Sequence, residues 1–262
     1  MLSSFEHPSE HVAVSDIIRR RSTNCTDVRV ATLGGLDLSA TRAVLDLGCG
    51  FGFMAEAIAQ RVAPTARLIG VDACPANEVP YLTRVAASGR FGQFVCRHIE
   101  RQLDWPDRSF DLVVASYALY FFPEVLPEVA RVLSPQGLFL AVTHAETSCR
   151  DLARVIGLSD AESPLLCAVR AFSAENGTQR LAPWFKDVVR VEYSNTLVFE
   201  TAHEDELRAY LRFKRRSVAP QEAGQGDSAE ALAHVIDRAT CHGRVVLEKN
   251  DAAFRCTRPR CP

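Results

Sequence analysis

Three glycines and two acids carry the clearest chemical potential in this chain. Asp46-Leu47-Gly48-Cys49-Gly50-Phe51-Gly52 closes a short apolar run, AVLDLG at 43–48, and helix-forming residues follow at once. Glycine is what a backbone needs where it must turn tightly and let another molecule come close. The first turn of the helix behind it leaves N–H groups free for a ligand. A second acid, Asp72, ends the next apolar run, RLIGVD at 67–72. In a right-handed strand–helix–strand unit the carboxyl ends of those two strands are neighbours. A carboxylate there can accept both hydroxyls of a ribose, each charge-assisted hydrogen bond contributing about 1.5–3 kcal/mol. Asp46 is placed to orient the turn or to meet a ligand amino group through water. The spacing is not that of a dinucleotide loop, which wants a small third residue for helix–strand packing, because Phe53 stands there. Nor does the turn end in the Gly-Lys-Ser/Thr of a phosphate loop.

The surrounding elements must hold that turn at a sheet edge. Further strands are expected at QFVCR (93–97), FDLVVAS (110–116) and GLFLAVTH (137–144), with helices over 54–62, 78–88 and 124–133. Strand and helix in alternation predict a parallel sheet with helices on both faces. Nearly unbroken apolar runs such as DLVVAS fit strands covered on both sides. Ahead of this block, helices at 11–21 and from 27 to about 33, stopped by Gly34-Gly35, form a cap expected over the carboxyl edge. Beyond it, helices are expected at 148–157, 174–185, 203–214 and 228–240, with a strand over 188–200. The last strands should form a hairpin turning at Asn250-Asp251. The polar stretch 220–227 reads as a loop. The whole of 1–262 is expected to be one domain, with a helical cap (1–40), a ligand-binding half (41–145) and an acceptor-side half (146–262). An insertion at about 201–240 would serve as its lid.

Composition narrows the function classes. With 30 basic against 32 acidic residues the net charge is -2, without the basic excess of a nucleic-acid binder. The basic runs at Arg19-Arg20-Arg21 and Arg212 to Arg216 read as solvated helix faces. No apolar run reaches the roughly 18 residues of a membrane span, and the first ten residues carry acids and no apolar signal core. The expectation is a cytoplasmic chain. The nine cysteines are odd in number and scattered. Cys25, Cys49, Cys74, Cys96 and Cys167 read as small buried hydrophobes in a reducing compartment. Cys256 and Cys261 read as exposed and oxidisable. A zinc site from Cys241, His242 and Cys256 lacks metal spacing, so no metal is expected.

Residues 43–145 resemble the class I S-adenosylmethionine-dependent methyltransferases, most closely the small-molecule type. DLGCGFG looks like the first motif of that family and GVD like its second. HIERQLDWPDRSFDLVVASYALYFF looks like the third and fourth, and PEVARVLSPQGLFLAV like the helix, turn and fifth strand that follow. The resemblance implies a Rossmann-like, mostly parallel α/β sheet of seven strands in the order 3-2-1-4-5-7-6, the seventh antiparallel. It also implies S-adenosylmethionine as cofactor. Gly48, Cys49 and Gly50 would run beside its amino-acid part, Asp72 would hold the ribose and Ala73 would pack on the adenine. His98 and Ile99 would meet the adenine edge, with histidine standing where the family often has Asp. Ser116 would lie near the methionine carboxylate or the sulfonium. The boundary between cofactor and acceptor would run from Tyr117 to Phe121.

Methyl transfer from a sulfonium is an in-line displacement, so positioning and desolvation dominate. A base is needed only where the acceptor must lose a proton early. Tyr117, Tyr120 and His144 are the candidates to orient the acceptor or take that proton. A phenol is protonated at pH 7, which makes Tyr120 an orienting group. His144 ends the fifth strand, on the edge where open α/β sheets bind ligands; a structural histidine at a strand end is the other reading. Phe121, Phe122, Trp184 and Phe185 are candidates for an apolar acceptor pocket, or for the core. The segment Ser22-Thr23-Asn24 is expected to close over the cofactor, with Asn24 or Arg21 near its carboxylate. The favoured reading is methyl transfer to a small-molecule acceptor, with neither nucleic acid nor membrane as partner and a homodimer left open. One alternative binds the cofactor without transferring methyl, as a cofactor-assisted cyclase or a binding module. Another is a protein or RNA methyltransferase, disfavoured because Ser116-Tyr117-Ala118-Leu119 stands where an Asn-Pro-Pro-Tyr-like clamp would be.

Overall fold

The computed structural model describes residues 8–218, 236 and 243–260. Strands β1 (Ala43–Leu47), β2 (Arg67–Asp72), β3 (Phe91–Cys96), β4 (Phe110–Ser116), β5 (Leu133–His144), β6 (Phe185–Tyr193) and β9 (Asp251–Pro259) form one sheet. Its order is β3-β2-β1-β4-β5-β9-β6. Since β9 is the seventh strand of this sheet in chain order, this is the expected 3-2-1-4-5-7-6 arrangement. The first five strands run parallel, and β9 is antiparallel to both β5 and β6. Alternation along the central strands divides the core. Leu45, Val71, Val113 and Ala141 point to one side, and Val44, Leu68, Leu112 and Leu140 to the other.

Helices cover both faces. The second side takes α2 (Val28–Leu33), α3 (Phe53–Ala59) and α4 (Glu78–Ala87), through Leu33, Met54, Ile58, Tyr81 and Val85. The first side takes α1 (Pro8–Arg21), α5 (Leu126–Val132), α6 (Glu146–Ile156), α7 (Pro164–Val169) and α9 (Glu204–Val218). The short α8 (Gly177–Leu181) lies before β6. Helix α9 starts with Glu204, Asp205 and Glu206 and ends with Arg215 and Arg216, charges that complement its backbone dipole. Among the described residues no helix is long and apolar enough to cross a membrane.

The distal region departs from the sequence reading. The expected strand over 188–200 is broken at Ser194-Asn195 into β6 and β7 (Thr196–Glu200), and the expected final hairpin does not form. Instead β8 (Arg244–Glu248) pairs with β7 in a separate two-stranded sheet, while β9 enters the main sheet. Both breaks have one cause. Asn195 N–H donates to the Asn250 side chain at 3.0 Å and Lys249 N–H donates to the Asn195 carbonyl at 3.0 Å, so the chain leaves and re-enters the sheet at one point. β7 and β8, which flank 201–240, thus both lie outside the main sheet. The expected helix at 228–240 and loop at 220–227 lie outside the described residues, apart from Ile236.

The cysteine expectations are partly overturned. Cys49 and Cys74 are buried, but Cys25, Cys96 and Cys167 are exposed, at chain segments that cross the surface. Cys256 is fully buried between β5 and β6 and cannot be the exposed thiol expected. Cys241, His242 and Cys261 lie outside the described residues.

Candidate functional site

A cavity of about 790 Å³ opens at the carboxyl edge of the main sheet, roofed by α1 and by part of α9. The nine candidate cofactor contacts and three candidate catalytic residues all line it: Asp46, Gly48, Cys49, Gly50, Asp72, Ala73, His98, Ile99, Ser116, Tyr117, Tyr120 and His144. The glycine turn sits at one end. Gly48 and Cys49 N–H donate to the Val71 carbonyl at 2.8 and 3.1 Å, tying the turn to β2. Gly48 has φ +68°, and a Cβ there would come within 2.4 Å of the Ala118 Cβ, so the position admits only glycine. Gly50 has φ +50°, and a Cβ there would meet nothing within 4 Å.

Asp72 does more than wait for a ligand. Its Oδ2 accepts from Gly50 N–H at 2.9 Å, and its Oδ1 from Cys74 N–H at 2.8 Å and Asn77 Nδ2 at 3.2 Å. Each carboxylate oxygen has two lone-pair sites, so Oδ2 keeps one for a further donor. Asp46 lies buried beneath the turn, and burial followed by the neighbouring Asp72 charge pushes its carboxyl up to about 7. Among the described residues its Oδ2 has no hydrogen-bond partner, and neither has the buried Ser116 Oγ. Buried polar groups are nearly always paired, so two orphans on one cavity wall mark where a polar ligand belongs.

The opposite end holds a second cluster. His144 Nδ1 lies 2.8 Å from Asp251 Oδ1, the Tyr117 hydroxyl donates to Asp251 Oδ2 at 2.8 Å, and Lys249 Nζ lies 2.5 Å from the same oxygen. Burial would raise the Asp251 carboxyl, but Lys249 and the His144 hydrogen bond outweigh it and hold it at about 2. Asp251 is therefore a pure acceptor, and the proton between it and His144 belongs to Nδ1. Burial, then Lys249, brings His144 down to about 4 despite Asp251, so the ring is neutral and its Nε2 is an unprotonated acceptor. The Tyr117 and Tyr120 rings lie 4.6 and 6.2 Å from the His144 ring. Burial and nearby anions push both phenols above their ordinary range. Tyr117 has φ +55°, a conformation that costs a non-glycine residue free energy; its phenol on Asp251 and its N–H on the Val142 carbonyl at 2.8 Å hold it there.

Other expectations fare differently. Phe121 and Phe122 line the cavity. Trp184 and Phe185 do not: Phe185 is buried against Phe139, ring centroids 5.6 Å apart, and Trp184 packs on the same core. Asn24 reaches the cavity, but its amide donates to the Ser194 carbonyl at 2.9 Å. Arg21 is turned away, onto Glu206 at 2.7 Å and His203 at 2.6 Å. The N-terminal segment is instead stitched to the insertion, with Thr23 N–H on the Thr196 carbonyl at 2.9 Å.

Asp251, Lys249 and Lys214 escaped the sequence reading. The turn reading of Asn250-Asp251 hid the first two. The expected strand order held the signal: a seventh strand antiparallel to the fifth puts its first residue opposite the last of β5, and His144 pairs with Asp251 in that register.

Sheet order and cavity position are those of the class I Rossmann-like methyltransferase fold. A family model described as "Methyltransferase domain" matches residues 44–137. The chain is 33% identical over 112 residues to a demethylmenaquinone methyltransferase of Symbiobacterium thermophilum, covering 41% of this chain and 44% of that protein. It is 29% identical over 140 residues to a trans-aconitate 2-methyltransferase of Methylobacterium radiotolerans, covering 52% and 51%. The chain thus spans about half the length of the curated relatives it matches. Among solved structures, the cyclase SpnF shares the fold with a TM-score of 0.52 at 18% identity, covering 88% of this chain and 80% of that one.

Proposed function

We propose that this chain transfers the methyl group of S-adenosylmethionine to a small-molecule acceptor. The observation that carries the reading is one cavity with the glycine turn and two orphaned polar atoms at one end and a neutral His144 on the Asp251 carboxylate at the other. The relatives named for demethylmenaquinone and trans-aconitate, both small molecules, support the acceptor class. In this reading Asp72 Oδ2 takes a ribose hydroxyl, and Ala73, His98 and Ile99 flank the adenine. Gly48, Cys49 and Gly50 pass along the amino-acid end, with Asp46 and Ser116 supplying the unpaired oxygens. When bound, S-adenosylmethionine supplies a methyl carbon made electrophilic by its positively charged sulfur. The chain's own part is to hold an acceptor oxygen in line, keep water out with Tyr117, Tyr120, Phe121 and Phe122, and take the acceptor's proton at His144 Nε2.

Two variants test the assignment. Asp72→Ala should weaken S-adenosylhomocysteine binding about tenfold or more, the worth of one charge-assisted hydrogen bond. Unchanged affinity by calorimetry, in a protein that still melts cooperatively, removes the ribose role. His144→Gln should slow S-adenosylhomocysteine formation about a hundredfold, the lower end of general-base effects, because a ring held near 4 is a weak base. Its affinity for S-adenosylhomocysteine should not change, and turnover at the wild-type rate takes the base role away. If no S-adenosylhomocysteine forms while the chain converts its substrate, the chain uses its cofactor without methyl transfer, as a cyclase or binding module would.

A further inference from the structure

Among the described residues, the acceptor end of the cavity carries one positive charge more than its carboxylate neutralises. Lys214 of α9 and Lys249, just before β9, both line it. Lys249 is paired with Asp251, whose carboxylate is already shared with His144 and Tyr117. Lys214 has no such partner: its ammonium lies 5.9 Å from the ring centroids of both Tyr210 and Phe213, and it forms no ion pair with any described residue. The other titratable groups around it do not help. Cys149 is held protonated, its thiol pushed up to about 12, and His11 and His144 are both brought down to about 4 and stay neutral. Among the described residues lining this end, the tally is two ammonium groups against one carboxylate; Glu175 and Asp151, whose charges reach Cys149 and Tyr210, do not line the cavity. Desolvation and then Lys249 lower Lys214 to about 8, the mark of a cation without a counter-charge. A charge taken from water without a partner is costly, and an incoming anion would relieve that cost.

We propose that the acceptor is an apolar carboxylic acid whose carboxylate pairs with Lys214. The wall around the ammonium fits the rest of such a molecule, for Leu165, Tyr120, Phe121 and Phe213 give the cavity an apolar surface beside the charge. The cofactor's own carboxylate is the competing partner, because His11 bridges Phe213 to Phe51 of the glycine turn at ring-centroid distances of 4.8 and 5.3 Å; what sets Lys214 toward the acceptor is the set of groups its charge reaches. Its charge acts on His144, Cys149 and His11, whereas the charge acting on Asp46 beneath the glycine turn is that of Asp72.

The word acceptor rests on the methyl-transfer reading, but the anion site can be tested without turnover. The probes are hexanoate and 4-hydroxybenzoate, each against its neutral amide, titrated by calorimetry into S-adenosylhomocysteine-saturated protein. Each acid should bind about tenfold or more tighter than its amide, the worth of one charge-assisted pair. Lys214→Met and Lys214→Gln should both erase that preference and leave S-adenosylhomocysteine affinity within about twofold. No binding of either acid, equal binding of acid and amide, or a preference that survives in both variants overturns the proposal. A large loss of S-adenosylhomocysteine affinity also overturns it, because Lys214 would then serve the cofactor. If the acids bind through Lys214 and methyl transfer is never seen, the transfer reading fails and the anion site stands.

Discussion

Replacing Asp251 with alanine should lower the free energy of unfolding by about 3–5 kcal/mol, the cost of removing one partner from a buried ion pair. Its side chain is 1% exposed and holds three groups at once: Lys249 Nζ, His144 Nδ1 and the Tyr117 hydroxyl. Without it, two lysines act on each other in the cavity with no ion-pair partner among the described residues, and Tyr117 loses a restraint on its left-handed backbone. For a chain of this size the midpoint of thermal unfolding should fall by about 10 °C. The pH dependence gives a second signature. Asp251 titrates lower in the folded protein, about 2, than its ordinary 3.8, so its contribution is present above 3.8 and lost as pH falls towards 2. His144 is also lowered, from 6.5 to about 4, so its contribution is complete above 6.5 and lost as pH falls to 4. Wild-type stability should therefore begin to decline below pH 6.5. In Asp251→Ala the loss between about 3.8 and 2 should shrink. Denaturant titrations at several pH values measure both. A change under about 1 kcal/mol at pH 7 would show that Lys249 finds another partner and that the cluster is not held by this carboxylate.

The glycine-turn wall of the cavity was legible because its signals are local. The glycine turn, the acid at the end of β2 and the apolar run of β4 each depend on a few consecutive residues. In a right-handed parallel unit, those local features fix which strand ends meet. Asp46, Asp72 and Ser116 consequently fall where the sequence put them, on one cavity wall. The acceptor half depends on pairings between distant residues. Alternation over 188–200 and around Asn250-Asp251 shows that strands are present, but it does not say which sheet each joins. The choice is made by Asn195 and Asn250 meeting 55 residues apart in sequence. A hydrogen bond of that kind leaves no periodic trace. Lys214 was hidden for another reason. On its helix it belongs to a basic run that reads as a solvated face, and only the packing of α9 over the cavity turns that one position inward. Cys256 shows the same limit: nearness to the C-terminus suggested exposure, and the strand position buries it.

Gly50→Val separates binding from folding more cleanly than any other change in the turn. Valine at Gly48 would drive its Cβ into Ala118, so a lost cofactor there would say only that the turn had moved. At Gly50 the Cβ position is open, and the residue lines the cavity. The backbone cost is that of a branched residue at φ +50°, about 1–3 kcal/mol, and the N–H that donates to Asp72 is kept. The protein should stay folded, with a midpoint only a few degrees lower. The new methyl groups enter the volume in which the amino-acid end of the cofactor is proposed to lie. Overlap of that kind cannot be relieved by a side chain swinging aside, because the obstacle sits on the backbone of the turn. S-adenosylhomocysteine affinity should fall at least about a hundredfold, near 3 kcal/mol, with Gly50→Ala intermediate because it carries the same backbone strain and less bulk. The grading decides the cause. If alanine and valine weaken binding equally, strain in the turn is responsible and not overlap. If neither weakens it, the cofactor does not pass beside Gly50, and the orphaned Asp46 and Ser116 oxygens serve a ligand placed differently in the cavity.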